Sequence, residues 1–168
     1  YLLCDMDRAV SRILLALQNQ EKIAIYADFD ADGIPGAVVF HDFFKKIGYP
    51  HVEIYIPHRD LEGFGFHTDA VLGLQKRGVS LIITVDVGSV AHETVAYAEN
   101  IGVNVIVTDH HECSDIPLPA TAFVNPKRIQ SDGSHYPFAD LCGAGVAYKV
   151  VCALISEGKK RSLPEFLT

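Results

Sequence analysis

The sequence contains no apolar run approaching the ~20 residues that a membrane-spanning helix needs, so nothing in it reads as such a span. It opens Tyr1-Leu2-Leu3-Cys4-Asp5, without a basic segment followed by an apolar one, and therefore lacks a secretory signal pattern. It lacks a starting methionine, and the expectation is a piece cut from a longer protein. Its four cysteines, at 4, 113, 142 and 152, form no C-x-x-C pair and no zinc-ligand spacing. Reduced thiols in a cytoplasmic protein are expected. Basic residues are scarce, 14 Lys and Arg against 21 Asp and Glu, and the net charge of −7 argues at first against a nucleic-acid partner. There is no internal repeat and no low-complexity segment.

What is present suits one soluble globular domain. The chain has 168 residues, long enough for a full core, with 49% hydrophobic and 21% charged residues. Five of the acids, Asp28, Asp30, Asp32, Asp86 and Asp109, fall in the motifs described below, and without them the net charge moves from −7 to −2. Two bound divalent cations would reverse the sign of such a site. The acidity thus fits a metal centre and leaves a polyanionic substrate open.

Hydrophobic periodicity predicts the elements. An amphipathic helix covers 6–17, carrying Met6, Ala9, Val10, Ile13, Leu14 and Leu17 on one face. A buried strand covers 23–27. A helix follows from Gly33 to Ile47, with Pro35 in its first turn and Gly48 as its stop. A strand at 52–56 ends at Pro57, and a Gly- and Phe-containing loop at 62–66 leads to a helix near 68–77. Buried strands are predicted at 81–85 and 103–107, with a helix at 91–100 between them, and a short strand at 122–124. The segment 125–142 reads as loop, and a full helix runs from Gly145 to Ile155. Ser162-Leu163-Pro164-Glu165 fits a capping box, so a further helix is expected to begin there. This alternation means an α/β fold: a mostly parallel sheet with helices on both faces.

Ligands in open parallel sheets bind beyond the carboxyl ends of the strands. The strand at 23–27 runs into Asp28-Phe29-Asp30-Ala31-Asp32-Gly33, that at 81–85 into Asp86-Val87-Gly88, and that at 103–107 into Thr108-Asp109-His110-His111. Side chains distant in sequence therefore converge on one edge. Such a group of carboxylates repels itself unless cations lie between its members. Aspartates with imidazole and no thiolate favour Mn²⁺ or Mg²⁺. Two such ions generate a hydroxide nucleophile and stabilise a phosphoryl transition state.

Simpler readings compete at each position. Asp32 taken alone is better read as a helix N-cap. The Asp28–Asp32 spacing occurs in calcium loops, but the later Glu of that loop is missing. Gly143-Ala144-Gly145-Val146-Ala147 opens a helix whose N–H groups suit a phosphate. It lacks a third glycine, and close helix–sheet packing explains Gly143 and Gly145 equally well. Arg59 is a candidate phosphate clamp or a solvated arginine. Phe64 and Phe66 suit base stacking or core packing. Lys127-Arg128 and Lys159-Lys160-Arg161 read first as solvated faces. The histidines at 41, 51, 58, 67, 92 and 135 are taken as ordinary.

These motifs resemble the DHH phosphoesterase superfamily, whose triplet stands here as Asp109-His110-His111. Within it the chain is similar to the RecJ-type single-stranded-DNA exonucleases. The resemblance rests on the three acidic motifs together with Ile56-Pro57-His58-Arg59, Glu62-Gly63-Phe64-Gly65, Val124-Asn125-Pro126-Lys127 and Gly143-Ala144-Gly145-Val146-Ala147-Tyr148-Lys149. It implies a 5′-to-3′ exonuclease acting in DNA repair and recombination with two divalent cations, Mn²⁺ or Mg²⁺. It implies that Asp86 bridges the ions, that Asp30 and Asp28 hold one, and that Asp32 and His110 hold the other. His111 would face the scissile phosphate, with Asp109 behind the ligands. Arg59, Gly143 and Gly145 are the phosphate-binding candidates. Single-stranded nucleic acid is the implied substrate, and a single-strand-binding protein or a helicase the implied protein partner.

The same resemblance implies that 1–168 is the catalytic domain, cut before the family's last metal-binding aspartate and before a second, substrate-gripping domain. Asp140 precedes Gly143 and does not fit that missing aspartate. Two other readings stay open: a phosphodiesterase of the same superfamily acting on short oligonucleotides or cyclic dinucleotides, and a non-catalytic scaffold on the same fold.

Overall fold

The protein is described by a computed structural model covering residues 2–161. Its elements are α1 Met6–Gln18, β1 Lys22–Ala27, α2 Gly33–Lys46, β2 Val52–Tyr55, α3 Thr68–Lys76, β3 Val79–Val85, α4 His92–Asn100, β4 Asn104–Thr108, β5 Ala122–Val124 and α5 Gly143–Lys160. The five strands form one all-parallel sheet in the order β2-β1-β3-β4-β5. Each parallel connection needs a crossover: α2, α3 and α4 supply the first three, and the segment 109–121 joins β4 to β5 without a helix.

Strand alternation sorts side chains to the two faces. Ile23, Ile25 and Ala27 of β1, Leu81, Ile83 and Val85 of β3, Ile106 of β4, and Ala122 and Val124 of β5 point into one core. That core is completed by Phe40, Phe43 and Phe44 of α2, Ile13 and Leu14 of α1, and Val150 and Leu154 of α5. Ala24, Tyr26, Ile82, Val105, Val107 and Phe123 point the other way, against Val71 and Leu74 of α3 and Val95 and Ala98 of α4. β1, β3 and β4 read as largely apolar runs because both faces of the sheet are covered there. The fold class expected from the sequence is the one observed.

The chain turns back across the sheet between β1 and β3. From β1 it goes outward to β2, then returns past β1 to β3 and continues to β4 and β5. The crevice at the carboxyl ends of β1 and β3 is therefore the topological switch point, where doubly wound sheets take their ligands.

Most boundaries fall within a residue of expectation; those of β3, β4 and α5 have a visible cause. β3 begins two residues early, at Val79, because the pairing with β1 starts at Lys22 and shifts register before Ile23. β4 starts at Asn104 rather than 103, after Gly102 closes the preceding turn at φ +80°. α5 is longer at both ends than 145–155. It starts at Gly143, where Val146 N–H donates to the Cys142 carbonyl. It continues past Ile155 with Glu157 paired to Lys160 and Arg161 on the same face. The capping-box segment 162–165 lies outside the described residues. No helix among the described residues is long and apolar enough to cross a membrane.

Candidate metal centre

Register brings the polar residues together. Ala27 is level with Val85, Val85 with Thr108, and Thr108 with Val124. The residues that follow, Asp28, Asp86, Asp109 and Asn125, therefore form one row across the carboxyl edge of the sheet. Backbone bonds carry the ladder one step further: Asp28 N–H donates to Val85, Asp86 N–H to Thr108 and Asp109 N–H to Val124.

Asp86 sits at the middle of the crevice with its side chain fully buried. Its backbone is left-handed, φ +63°, a conformation costing a non-glycine residue on the order of 1 kcal/mol. Thr84 Oγ1 donates to the Val87 carbonyl at 2.7 Å, and Thr108 Oγ1 donates to the Thr84 carbonyl at 2.5 Å; together they shape the turn that imposes this conformation. Among the described residues no well-aligned hydrogen bond reaches either carboxylate oxygen of Asp86, and the nearest side-chain nitrogen is His110 Nε2, 3.1 Å from Oδ1. Burial, then the nearby Asp30 and Asp32, push its carboxyl up to about 9.

The loop after β1 supplies the other carboxylates. Asp28 is buried, and its Oδ1 accepts Phe29 N–H at 2.7 Å; burial raises its pKa. Asp30 Oδ1 accepts the N–H groups of Gly33 at 3.0 Å and Asp32 at 3.2 Å, which hold its carboxyl below the usual range. Asp30, not Asp32, thus satisfies the amides that open α2. Asp32 occupies the expected N-cap position, but its side chain makes no cap. Its Oδ2 instead accepts Gly143 N–H at 2.8 Å and lies 3.5 Å from His110 Nε2.

The two histidines face the same crevice differently. His110 Nε2 lies 3.1 Å from Asp86 Oδ1. His111 is the more exposed, with Nδ1 2.8 Å from Asp109 Oδ1 and 4.0 Å from Asp86 Oδ1. Asp109 is buried. Burial alone would raise its carboxyl, but Ser89 and His111 outweigh burial and hold it low. Its Oδ1 also accepts His110 N–H at 2.7 Å and His111 N–H at 3.3 Å, and its Oδ2 accepts Ser89 N–H at 2.8 Å.

Two groups of candidate ligand atoms result, Asp28–Asp30–Asp86 and Asp86–His110–His111, each within 4.8 Å. They share Asp86. Oxygen and imidazole ligand atoms around a buried carboxylate that no well-aligned hydrogen bond satisfies fit a hard divalent cation.

Gly143 and Gly145 lie at the start of α5, and the first of them presents no free N–H. Gly143 N–H is taken by Asp32. A Cβ on Gly145 would lie 2.6 Å from Leu141 Cδ1, so that glycine lets α5 pack on Leu141. Arg59 lies over the Phe29 ring at 4.8 Å, and Phe64 packs on Phe29 at 4.3 Å, on the rim of the aspartate loop. Phe66 is buried edge-on against Tyr26 and belongs to the core. Asp140 is exposed in the loop before α5.

Sequence reasoning gave no role to Ser89 or Asn125. Both are buried among the site residues. For Asn125 the signal was there, since it follows a buried strand as Asp28, Asp86 and Asp109 follow theirs.

Comparison with known proteins agrees with this geometry. The model of the DHH family, N-terminal domain, matches residues 22–168. The chain is 42% identical over 152 residues to the single-stranded-DNA-specific exonuclease RecJ of Bacillus subtilis, covering 90% of this chain and 19% of that protein. It is 34% identical over 139 residues to RecJ of Thermus thermophilus, covering 83% of this chain and 20% of the relative. The crystal structure of an exonuclease RecJ bound to manganese superposes with a TM-score of 0.80 at 31% identity, over 98% of this chain and 40% of that one. The chain thus spans about a fifth of the length of these two curated relatives. With its motifs in order along the sheet edge and the family model matching from β1 onward, the chain belongs to the DHH family.

Proposed function

We propose that this chain supplies the metal-binding catalytic centre of an exonuclease that hydrolyses phosphodiester bonds in single-stranded DNA from the 5′ end, in repair and recombination. The observation that carries this reading is Asp86: a buried carboxylate that no well-aligned hydrogen bond satisfies among the described residues, shared by two groups of candidate ligands. Relatives named as single-stranded-DNA-specific exonucleases, and a RecJ structure bound to manganese, support the substrate class and the metal. The site acts in the cytoplasm, and a single-strand-binding protein or helicase is the partner class in keeping with the family. The four cysteines are free, which suits such a compartment.

Asp86 would bridge two cations, Mn²⁺ or Mg²⁺, with Asp28 and Asp30 on one side and Asp32 and His110 on the other. When bound, the cations supply Lewis acidity: they make water nucleophilic near neutral pH and offset phosphoryl charge. His111 has the geometry for proton transfer. With Nδ1–H given to Asp109 Oδ1, its Nε2 would hold the proton for the departing oxygen. Arg59, propped against Phe29, would grip a phosphate beside the aspartate loop. The α5 amino terminus acts through Asp32, which Gly143 N–H holds.

The test is a substrate panel with Mn²⁺: a 5′-phosphorylated single strand, the same strand as a duplex, dinucleotides and a cyclic dinucleotide. The expected result is shortening of the single strand from its 5′ end, with duplex resistant. Cleavage confined to the cyclic dinucleotide or dinucleotides would overturn the substrate class. Mn²⁺ binding without hydrolysis of any of them would overturn the catalytic reading.

A further inference from the structure

Asn125 closes the polar row at the sheet edge, and every polar group of its side chain is used. It is 1% exposed. Its Nδ2 donates to the His111 carbonyl and to Ser89 Oγ, both at 2.9 Å. Its Oδ1 accepts Lys127 N–H at 2.8 Å. The orientation of the amide is fixed by chemistry: the Lys127 N–H needs an acceptor, and the His111 carbonyl needs a donor.

These bonds tie together three segments that meet behind the site. Ser89 belongs to the turn that carries Asp86, and its N–H donates to Asp109 Oδ2. Asp109 Oδ1 faces His111 Nδ1 and accepts the amides of both histidines. Asn125 thus reaches His111 twice, directly at its carbonyl and indirectly through Ser89 and Asp109. Of the candidate ligand residues these bonds reach His111 alone, at its backbone carbonyl and not at its imidazole. The imidazole of His111 is the more exposed of the pair. Apart from the His110 ring at 4.7 Å, its direction depends on the loop beneath it.

We infer that Asn125 is a positioning residue: through Ser89 and the backbone of the Asp109–His111 loop it fixes the direction of the His111 imidazole without holding metal. The inference deepens the proposed function and rests on it for the role of His111.

Asn125→Asp in the intact protein is the discriminating variant. It keeps the size and the acceptor for Lys127, but sets an oxygen against the His111 carbonyl. With a 5′-phosphorylated single strand, kcat is expected to fall by ~10–100-fold, the usual cost of losing an outer orienting partner, with KM and Mn²⁺ affinity held within about threefold. Amide exchange at His110 and His111 should quicken, while that at Asp86 stays slow. An unchanged kcat with unchanged exchange overturns the inference, as does a fall in Mn²⁺ affinity matching the fall in rate. A lowered melting temperature with normal kcat also overturns it, since that marks a structural role alone. If Asn125→Asp does not fold, Ser89→Ala carries the test, because it removes the hydroxyl and leaves the backbone bond to Asp109. A smaller fall in kcat with quickened His111 exchange supports the inference, and wild-type values overturn it. Should the wild-type protein cleave no nucleic acid, the proposed function fails, and the exchange comparison alone decides whether Asn125 orders the loop.

Discussion

Gly143 is pressed against Asp86: a Cβ added at Gly143 would fall 2.5 Å from Asp86 Oδ1 and 2.6 Å from Asp86 Cβ. No side chain fits there without moving the buried carboxylate, and Asp86 cannot retreat because its turn is held by Thr84 and Thr108. The same residue gives its N–H to Asp32. Gly143→Ala should therefore damage the metal centre even though alanine favours helix. Overpacking of this kind costs ~1–3 kcal/mol of stability. Calorimetric titration with Mn²⁺ should show weakened binding. Wild-type affinity would mean that Gly143 does not shape the site.

Stability without metal should fall as pH rises. The folded chain keeps a proton on Asp86 up to about 9, whereas an unfolded aspartate loses its proton near ~4. The stabilisation is fully present below the unfolded value and is lost as pH rises through the folded one. Asp28, also raised by burial, acts in the same direction. With chelator present, the urea midpoint should decline through this window. Asp86→Asn should flatten the decline. Saturating Mn²⁺ should counter it, with protons released on binding. A rising midpoint in chelator would contradict the raised pKa of the buried Asp86 carboxyl.

His110 and His111 should separate in function although they are adjacent. His110 Nε2 lies against Asp86 and Asp32, whereas His111 Nδ1 lies against Asp109. His110→Ala is expected to weaken Mn²⁺ binding, with activity partly restored by excess Mn²⁺. His111→Ala should keep the metal and lose rate by ~10²–10⁴-fold, the range for a general acid. Calorimetry paired with single-turnover rates distinguishes them. The reverse pattern would exchange their roles.

The free edge of the sheet should depend on a side-chain pair. Phe123 N–H in β5 donates to Asp5 Oδ2 at 3.2 Å, Arg128 donates to the Phe123 carbonyl, and Arg128 meets Asp5 at 2.8 Å. Asp5 and Arg128 thus occupy the backbone groups that a neighbouring strand would pair with. Asp5→Ala leaves a backbone donor and a guanidinium without their acceptor, and should cost ~1–3 kcal/mol in urea unfolding. Turnover should stay near wild type. An unchanged unfolding midpoint would mean that water replaces Asp5 at no cost.

The fold was legible because both faces of the sheet are covered. β1, β3 and β4 announce themselves as apolar runs, and the residue after each run gave three members of the polar row. What was not legible depends on register and backbone conformation. Spacing placed Asp32 at a helix cap, but only the approach of α5 shows Gly143 N–H taking that carboxylate. A glycine-rich helix start read equally as phosphate cradle or close packing, and the distance to Asp86 is a tertiary fact. Asn125 and Ser89 meet only because β5 pairs with β4 in one register. Phe64 and Phe66, two residues apart, diverge because a short loop presents one to solvent and one to Tyr26.

The central claim is that Asp86 joins two cations into one catalytic centre. Its most direct test is Mn²⁺ titration of wild type and Asp86→Ala by electron paramagnetic resonance, alongside single-turnover degradation of a 5′-phosphorylated single strand. The account predicts two exchange-coupled Mn²⁺ ions in the wild type. In Asp86→Ala it predicts loss of the coupling and of hydrolysis, in a chain that remains folded. An Asp86→Ala protein that still binds a coupled pair and degrades DNA at a near-normal rate would contradict it.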